Sequence, residues 1–244
     1  MWFKKEEPKI TFYSKDYFQQ YDMMPAPASK YIPLWFKKLV RHHEAPLSPG
    51  TVKTCVPVLD VLTAGYIIPA PCDFHLSLWK EDDKLRWEGE WKMPGGHEVI
   101  TEHHPRQLGD HYLMKNGLGW PLKFNNLFTI KTPPGYSCLF TNPFNNDHLQ
   151  QFGIDFVSAI VDTDKYTLPI NFPFIFSKIG ERHEMNLIQQ GTPLVQVIPF
   201  KRENWTHEMK DVDEFKEQKD VFHRIHTKFI DRYKKFHHSP KKFR

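Results

Sequence analysis

The sequence predicts a mainly β protein, an antiparallel barrel or sandwich with an extended N-terminal segment and one C-terminal amphipathic helix. Twenty prolines stand against twelve glycines, and they are spread from Pro8 to Pro199 and then absent until Pro240. Because proline is tolerated at turns and strand ends but not inside helices, this distribution indicates many short extended segments followed by one helix. Aromatic residues make up 15% of the chain, including twenty Phe, which suits the packing of sheets.

Short runs of aromatic and β-branched residues, broken by Pro, Asp or Gly, predict the individual strands. The clearest run is 84–91, where Leu85, Trp87 and Trp91 share one face and Glu81-Asp82-Asp83 predicts a preceding hairpin turn. The other predicted strands are 9–13, 52–59, 65–70, 74–79, 122–130, 136–141, 154–161, 168–176, 185–188 and 194–201. The polar, His-rich segment 94–118 between them predicts a long loop.

The chain predicts one domain with two terminal extensions. Residues 1–50 form the N-terminal extension, 51–205 the β domain, and 206–244 the C-terminal helix and basic tail. Within the first extension, 29–40 predicts a short helix or turn with Trp35, Phe36 and Leu39 facing inward. Segment 211–236 contains no Pro or Gly and repeats apolar residues at steps of three, four or seven, so we expect a helix that packs its aromatic stripe on the core.

Charge and cysteine usage narrow the functional classes. A formal net charge of +4, evenly mixed, does not indicate nucleic-acid binding, except through the basic tail at 234–244, which we expect to be solvated. Cys55, Cys72 and Cys138 are odd in number and form no CxxC pair, which favours free thiols in a reducing compartment. No apolar run approaches the ~20 residues of a membrane span, and residues 1–10 carry charges where a signal peptide is apolar. We therefore expect the protein to lie in the cytoplasm, or in a particle assembled there.

Four segments carry recognisable motifs. They read Thr-Ala-Gly-Tyr-Ile-Ile at 63–68, Thr-Pro-Pro-Gly-Tyr-Ser-Cys-Leu-Phe at 132–140, Ala-Ile-Val-Asp-Thr-Asp-Lys-Tyr at 159–166 and Gly-Thr-Pro-Leu-Val-Gln-Val-Ile at 191–198. In this order they resemble motifs of the trimeric dUTPase and dCTP deaminase superfamily, over about 60–202, which implies a β-clip-like fold. The whole chain also resembles an uncharacterised protein family carried by marine bacteriophages.

The superfamily resemblance implies roles for particular residues. It makes Asp162 the carboxylate that activates the attacking water. The implied ligand-binding candidates are Tyr66, Thr141, Asn142, Asp164, Tyr166 and Gln196. It also implies Mg²⁺ around a triphosphate and a homotrimer with sites at subunit interfaces.

The chain keeps Asp162 and Asp164 but departs from the superfamily pattern at other catalytic elements. Ile67 replaces the Asp that helps to hold Mg²⁺, Thr141-Asn142 stands where an Arg-Ser-Ser segment is expected, and Lys165 is inserted before Tyr166. The Gly-rich C-terminal lid is absent. The glycines and Gln196 that build turns and strands are retained. This pattern indicates that the chain has the fold of the superfamily without its dUTP hydrolysis.

Three functional hypotheses follow. The leading one is a non-enzymatic phage-type protein without a cofactor, a virion component or host-directed factor that binds a protein partner or assembles. The second is a nucleotide-binding hydrolase or deaminase that uses Asp162. The third is a Zn²⁺- or Fe²⁺-dependent enzyme that uses His97, His103, His104 and His111, although their spacing matches no ligand motif and a solvated loop is the favoured interpretation.

Overall fold

The computed structural model describes residues 7–15, 24–42, 50–211, 232–236 and 238–244. Its strands in these ranges are β1 (Thr11–Tyr13), β2 (Ala26–Pro27), β3 (Tyr66–Pro69), β4 (Phe74–Glu81), β5 (Lys84–Trp91), β6 (Ile100–Glu102), β7 (Trp120–Phe124), β8 (Thr129–Lys131), β9 (Tyr136–Thr141), β10 (Ile154–Phe156), β11 (Ala159–Val161), β12 (Phe172–Phe176), β13 (Asn186–Ile188) and β14 (Pro193–Lys201). The α-helices are α1 (Leu34–Lys38), α2 (Val56–Thr63), α3 (Tyr112–Lys115) and α4 (Arg232–Phe236), and short 3₁₀ helices lie at Ala28–Tyr31, Val52–Thr54, Pro94–Gly96, Pro105–Gln107 and Gln150–Phe152.

The strands pair antiparallel throughout the described ranges, which confirms the predicted fold class. They form a five-stranded sheet in the order β11-β9-β14-β3-β2, a four-stranded sheet β10-β12-β7-β6, a three-stranded sheet β13-β4-β5 and the pair β1-β8. These sheets do not close into a barrel in the described part of the chain. The N-terminal extension joins them, since β1 pairs with β8 and β2 with β3.

Phenylalanine is the most frequent residue type in the buried core of the described residues, as the composition suggests. Phe140 of the five-stranded sheet lies 5.4 Å from Phe172 of the four-stranded sheet, ring centre to ring centre. Phe172 also stacks on Phe124 at 6.2 Å, and Phe156 meets Phe174 at 5.1 Å. The Phe140–Phe172 contact joins the two sheets, and the other two contacts pack neighbouring strands within the four-stranded sheet.

The strand predicted at 52–59 is wrong, because this segment is helical. A 3₁₀ turn at Val52–Thr54 leads into α2, with Pro57 in its first turn. Proline is well suited to that position because its missing N–H has no partner there in any helix. The β-branched residues suggested a strand, but burial of Leu62 against the core favours the helix over this weak local preference.

Four other predicted segments differ from the structure in their bounds or content. The run 122–130 breaks at Asn126, whose side chain bonds both the carbonyl and the N–H of Phe128. The run 154–161 is shared between β10 and β11, which lie in different sheets, and the run 168–176 becomes strand only from Phe172. The predicted loop 94–118 contains β6 and α3.

Other local predictions are confirmed in full or in part. Asp82 and Asp83 both have positive φ, at 49° and 58°, in a two-residue turn between β4 and β5. In α1, Phe36 is buried as predicted, whereas Trp35 is 38% exposed.

Of the predicted C-terminal helix, α4 is described, and residues 212–231 lie outside the described residues. The described helices include none long and apolar enough to cross a membrane.

Candidate functional site

The Asp-Thr-Asp motif lies where three chain segments meet. Val161 pairs with Cys138 on β9, and Lys201 of β14 pairs with Tyr136 on the same strand. The residues that follow β11 and β14 are therefore brought to the start of β9. Ser137, Asp162, Asp164 and Arg202 meet there beside the Pro-Pro-Gly turn, and we call them the Asp–Arg cluster.

Arg202 is the centre of the Asp–Arg cluster. Its Nη1 donates to Asp164 Oδ1 at 2.8 Å, to Asp162 Oδ1 at 3.2 Å and to Ser137 Oγ at 2.9 Å, while Nη2 donates to Asp164 Oδ2. Ser137 Oγ donates in turn to Asp162 Oδ1 at 2.6 Å, and the N–H of Gly135 donates to Asp164 Oδ2 at 2.9 Å. Both aspartates are thus already bonded within the fold.

The bonds of the Asp–Arg cluster favour ionised side chains. The guanidinium of Arg202 holds the pKa of Asp164 far below its usual range. The Ser137 hydroxyl, followed by the charge of Arg202, lowers the pKa of Asp162. The bond to Asp164 raises the pKa of Arg202 further. A bidentate arginine–carboxylate pair of this kind is among the strongest hydrogen-bonded arrangements in proteins.

Two buried threonines, Thr132 and Thr163, lie beneath the Asp–Arg cluster on the core side. Thr163 is fully buried, its hydroxyl lies 2.7 Å from that of Thr132, and it donates to Cys138 Sγ at 3.3 Å. Burial raises the pKa of Cys138 to about 11, so this thiol stays protonated. The middle residue of the Asp-Thr-Asp motif therefore fixes the two flanking carboxylates in place.

Gln196 ties three segments together. Its Nε2 donates to the carbonyls of Val61 and Ala64 at 3.0 and 2.7 Å, and its Oε1 accepts the N–H of Phe144 at 2.9 Å. The side chain is buried and its amide is fully used by the backbone of α2 and of the 142–147 loop. In this structure Gln196 is a fold residue.

Thr141 and Asn142 are likewise bonded internally. Thr141 Oγ1 lies 2.8 Å from Ser158 Oγ. Asn142 accepts the N–H of Phe156 at 2.9 Å and donates to Asp155 Oδ1 at 2.8 Å. These contacts hold the crossing from β10 to β11 against the end of β9.

The predicted site residues fall into two groups at opposite ends of β9. Thr141 pairs with Gln196 at one end, whereas Ser137 and the Asp–Arg cluster lie four residues earlier, a separation of roughly 13 Å along a strand. Asn142 lines a cavity that neither Asp162 nor Tyr166 lines. Tyr166 is 43% exposed in the turn after Asp162, to whose carbonyl its N–H donates.

The first motif contributes a glycine that the backbone requires, followed by a buried isoleucine. Gly65 has φ of +68°, and a Cβ there would lie 2.0 Å from the Val197 carbonyl oxygen, so only glycine fits. Ile67, two residues on, is buried in the sheet.

Tyr66 is covered by the C-terminal segment. Its hydroxyl donates to the Arg244 carbonyl at 3.0 Å, and its ring meets Phe12 and Phe243 edge-on at 5.5 and 6.2 Å. Burial raises the pKa of the Tyr66 phenol. The basic tail, predicted to be solvated, instead packs on the domain, with Lys241 Nζ 2.6 Å and His238 Nε2 3.1 Å from Asp60 carboxylate oxygens.

The histidines of the 97–111 segment do not converge on a metal site. In the described part of the chain, no group of three or more His, Cys, Asp or Glu side chains lies close enough to hold a metal ion. His104 and His111 instead accept backbone N–H bonds at the starts of a 3₁₀ turn and of α3. Desolvation, then the charge of Lys123, lowers the pKa of His103.

Comparison with known proteins adds little to these contacts. No family model and no curated protein matches the sequence. Among solved structures, the chain is similar to EIAV dUTPase with a TM-score of 0.31 and 12% sequence identity, over 61% of this chain and 83% of that chain. This likeness is too weak to indicate a function for the chain.

Sequence reasoning missed the partner of the aspartates. Arg202 follows the fourth motif directly, and its position at the end of a strand that neighbours β9 could have indicated an ion pair. Sequence reasoning also missed the cavity beside Asn142, because its lining comes from α1, the loop after β9 and β10, and Asn142 alone among these residues was a predicted candidate.

Proposed function

We propose that this chain is a non-enzymatic, phage-type binding or assembly protein in which the residues that resemble a nucleotide site hold the fold together. The supporting observation is Arg202, which is bonded to the carboxylates of both Asp162 and Asp164. A virion component and a factor that acts in the host cytoplasm are the two settings that fit this role.

The charges of the Asp–Arg cluster disfavour a triphosphate. Phosphates require hydrogen-bond donors or cations that are not already satisfied. Arg202 is shared between two carboxylates, and Lys131 Nζ donates to the Asp164 carbonyl. A triphosphate brought to this place would compete with Asp162 and Asp164 for both cations.

The surroundings of the first motif disfavour Mg²⁺. This ion requires oxygen ligands in near-octahedral geometry. Ile67 supplies only a buried hydrocarbon where the resemblance expects a carboxylate. Tyr66 beside it is occupied by Phe243 and Arg244.

An exposed edge supports the assembly part of the proposal. Strand β11 ends the five-stranded sheet, and Ile160 on it is 64% exposed. Val157, Tyr166 and Leu168 nearby in sequence are also exposed. An edge strand with exposed apolar side chains is a template for pairing with another chain. We propose that it pairs with a second copy in a homo-oligomer, a trimer by analogy with the superfamily.

The enzymatic alternative is tested with nucleotides. Purified protein is incubated with dUTP and with dCTP in the presence of Mg²⁺, and product formation and the thermal midpoint are measured for the natural chain and for Asp162→Asn. We expect no turnover and no change in midpoint. A ligand at ~100 times its Kd would stabilise the protein by ~2.7 kcal/mol, which is readily seen. Turnover that disappears in Asp162→Asn would overturn the proposal and establish the nucleotide enzyme.

The assembly part is tested by light scattering of the natural chain and of Ile160→Lys. We expect an oligomer that dissociates in the variant, while Lys165→Ala, a change at an exposed residue outside β11, leaves it intact. A monomeric natural chain would refute the homo-oligomer.

A further inference from the structure

A cavity of about 320 Å³ lies between α1 and the loop that follows β9. Its polar and aromatic lining includes Trp35, Asn142, Asn145, Asp147, Gln150 and Asp155. The volume is at the lower end of the ~300–1,000 Å³ found for small-molecule clefts. The cavity lies at the end of β9 remote from the Asp–Arg cluster.

Planar polar groups in this cavity are uncommitted. Within the described residues, the side chains of Asn145, Asp147 and Gln150 make no hydrogen bond, although Asp147 and Gln150 accept bonds through their backbone carbonyls. Asp155 Oδ1 accepts a hydrogen bond from the Asn142 amide, and Asp155 Oδ2 accepts none from another described residue. Each amide or carboxylate presents two polar atoms in one plane, which matches adjacent hydroxyl groups of a ligand.

The indole that lines the cavity is held in one orientation. Trp35 Nε1 donates to the Asn145 carbonyl at 3.0 Å, and the Trp35 ring meets the Phe36 ring edge-on at 5.5 Å. Asn145 itself has φ of +52°, a conformation that Asn tolerates better than most residues. A fixed aromatic ring offers apolar contact at little entropic cost on binding.

Charge narrows the class of ligand. Asp147 and Asp155 are anionic, and no Lys or Arg is among the described residues of the lining. Phosphorylated and other anionic ligands would be repelled, whereas a neutral, hydroxyl-rich ligand can donate to the carboxylates and exchange bonds with the amides. We propose that this cavity binds a neutral saccharide residue, with the indole against its ring and the amides and carboxylates on its hydroxyl groups.

This proposal does not depend on the Asp–Arg cluster, so it can fail while the proposed function stands. The test is saturation-transfer NMR of the full chain with glucose, galactose, mannose and N-acetylglucosamine, each at up to ~10 mM, about ten times the Kd of a ~1 mM site. Thymidine monophosphate serves as an anionic aromatic probe in the same experiment. We expect transfer to the ring protons of at least one sugar and none to the nucleotide.

Variants assign the signal to the cavity. Trp35→Ala and, separately, Gln150→Ala should weaken sugar binding about tenfold or more, because aromatic anchors and their polar neighbours carry most binding energy. Trp205→Ala, which removes an indole that is 86% exposed, is the matched control and should bind as the natural chain does. Gln150 is exposed, so its variant tests binding without risk to folding.

Three results would overturn the saccharide site. The first is no transfer to any of the four sugars. The second is sugar binding that survives both Trp35→Ala and Gln150→Ala. The third is transfer to the nucleotide that is lost in these variants, which would assign the cavity to a nucleoside ligand instead.

Discussion

The Asp–Arg cluster and the Trp35 cavity lie at opposite ends of β9 and differ in how their polar groups are used. In the cluster, Asp164 is bonded to Arg202 and to the Gly135 N–H. In the cavity, the side chains of Asn145, Asp147 and Gln150 make no hydrogen bond to another described residue. The bonds of the cluster stabilise the fold, whereas the exposed side chains of the cavity can exchange water for a ligand. The cluster residues resemble a known site, but resemblance alone does not assign a function.

The largest effect should come from Gln196→Ala. The change would leave the Phe144 N–H and the Ala64 carbonyl without partners, whereas the Val61 carbonyl would keep the N–H of Ala64, at about 1–3 kcal/mol for each part-buried group that loses its partner. A total of about 3 kcal/mol would lower the midpoint by roughly 6–12 °C in a chain of this size.

Urea and thermal unfolding measure this loss. Gln107→Ala, at an exposed glutamine, is the matched control and should stay within about 0.5 kcal/mol of the natural chain. If both variants are equally stable, Gln196 is not a fold residue and its role as a ligand residue is reopened.

A smaller effect is expected for Asp164→Asn, and it should depend on pH. The pKa of Asp164 is lowered in the folded protein, mainly by Arg202, whereas an unfolded aspartate titrates near ~3.9. The resulting stabilisation is complete above that unfolded value and is lost as the pH falls below it toward the folded value. The natural chain should therefore lose stability between about pH 5 and pH 3 more steeply than the variant.

Urea midpoints across this pH range test the comparison of the two regions directly. Asp147→Asn applies the same chemical change in the Trp35 cavity, where the carboxylate has no bonded partner among the described residues. Its pH profile should match that of the natural chain. Identical profiles for all three proteins would show that Arg202 does not stabilise the ionised Asp164.

The smallest effect on global stability is expected for Asp60→Asn. Burial pushes the pKa of Asp60 upward, but hydrogen bonds from Lys241 and His238 outweigh it and hold this pKa below its usual value. Ion pairs at the surface contribute about 0–1 kcal/mol, so the unfolding midpoint should change little. The contact of residues 238–244 with the domain should weaken, because its charged anchor is removed.

Limited trypsin digestion reports on that contact, since Lys241 and Lys242 lie within it. Cleavage there should be faster in Asp60→Asn than in Asp110→Asn, a change at an exposed aspartate elsewhere. Equal cleavage rates would mean that the tail is held by Tyr66 and Phe243 alone.

Much of the fold could be predicted from local patterns. The hairpin at Asp82-Asp83 and the strands on either side of it follow from turn chemistry and alternation, which act over a few residues. Segment 52–59 was not predictable in this way, because its helix depends on burial of Leu62 by distant residues. The break between β10 and β11 depends on which sheet each strand joins, and a single strand pattern carries no such information.

By itself, the sequence determined the mainly antiparallel β class, the aromatic core and the motifs that place Asp162, Asp164 and Gln196. Only the tertiary structure decided that Arg202 is bonded to both aspartates, that the tail covers Tyr66, and that Trp35 meets the 142–155 loop across a cavity. Periodicity and turn propensity are local properties and can be read along the chain. Bonding between residues 40 to 178 positions apart depends on how the sheets pack, so it appears only once the chain is folded.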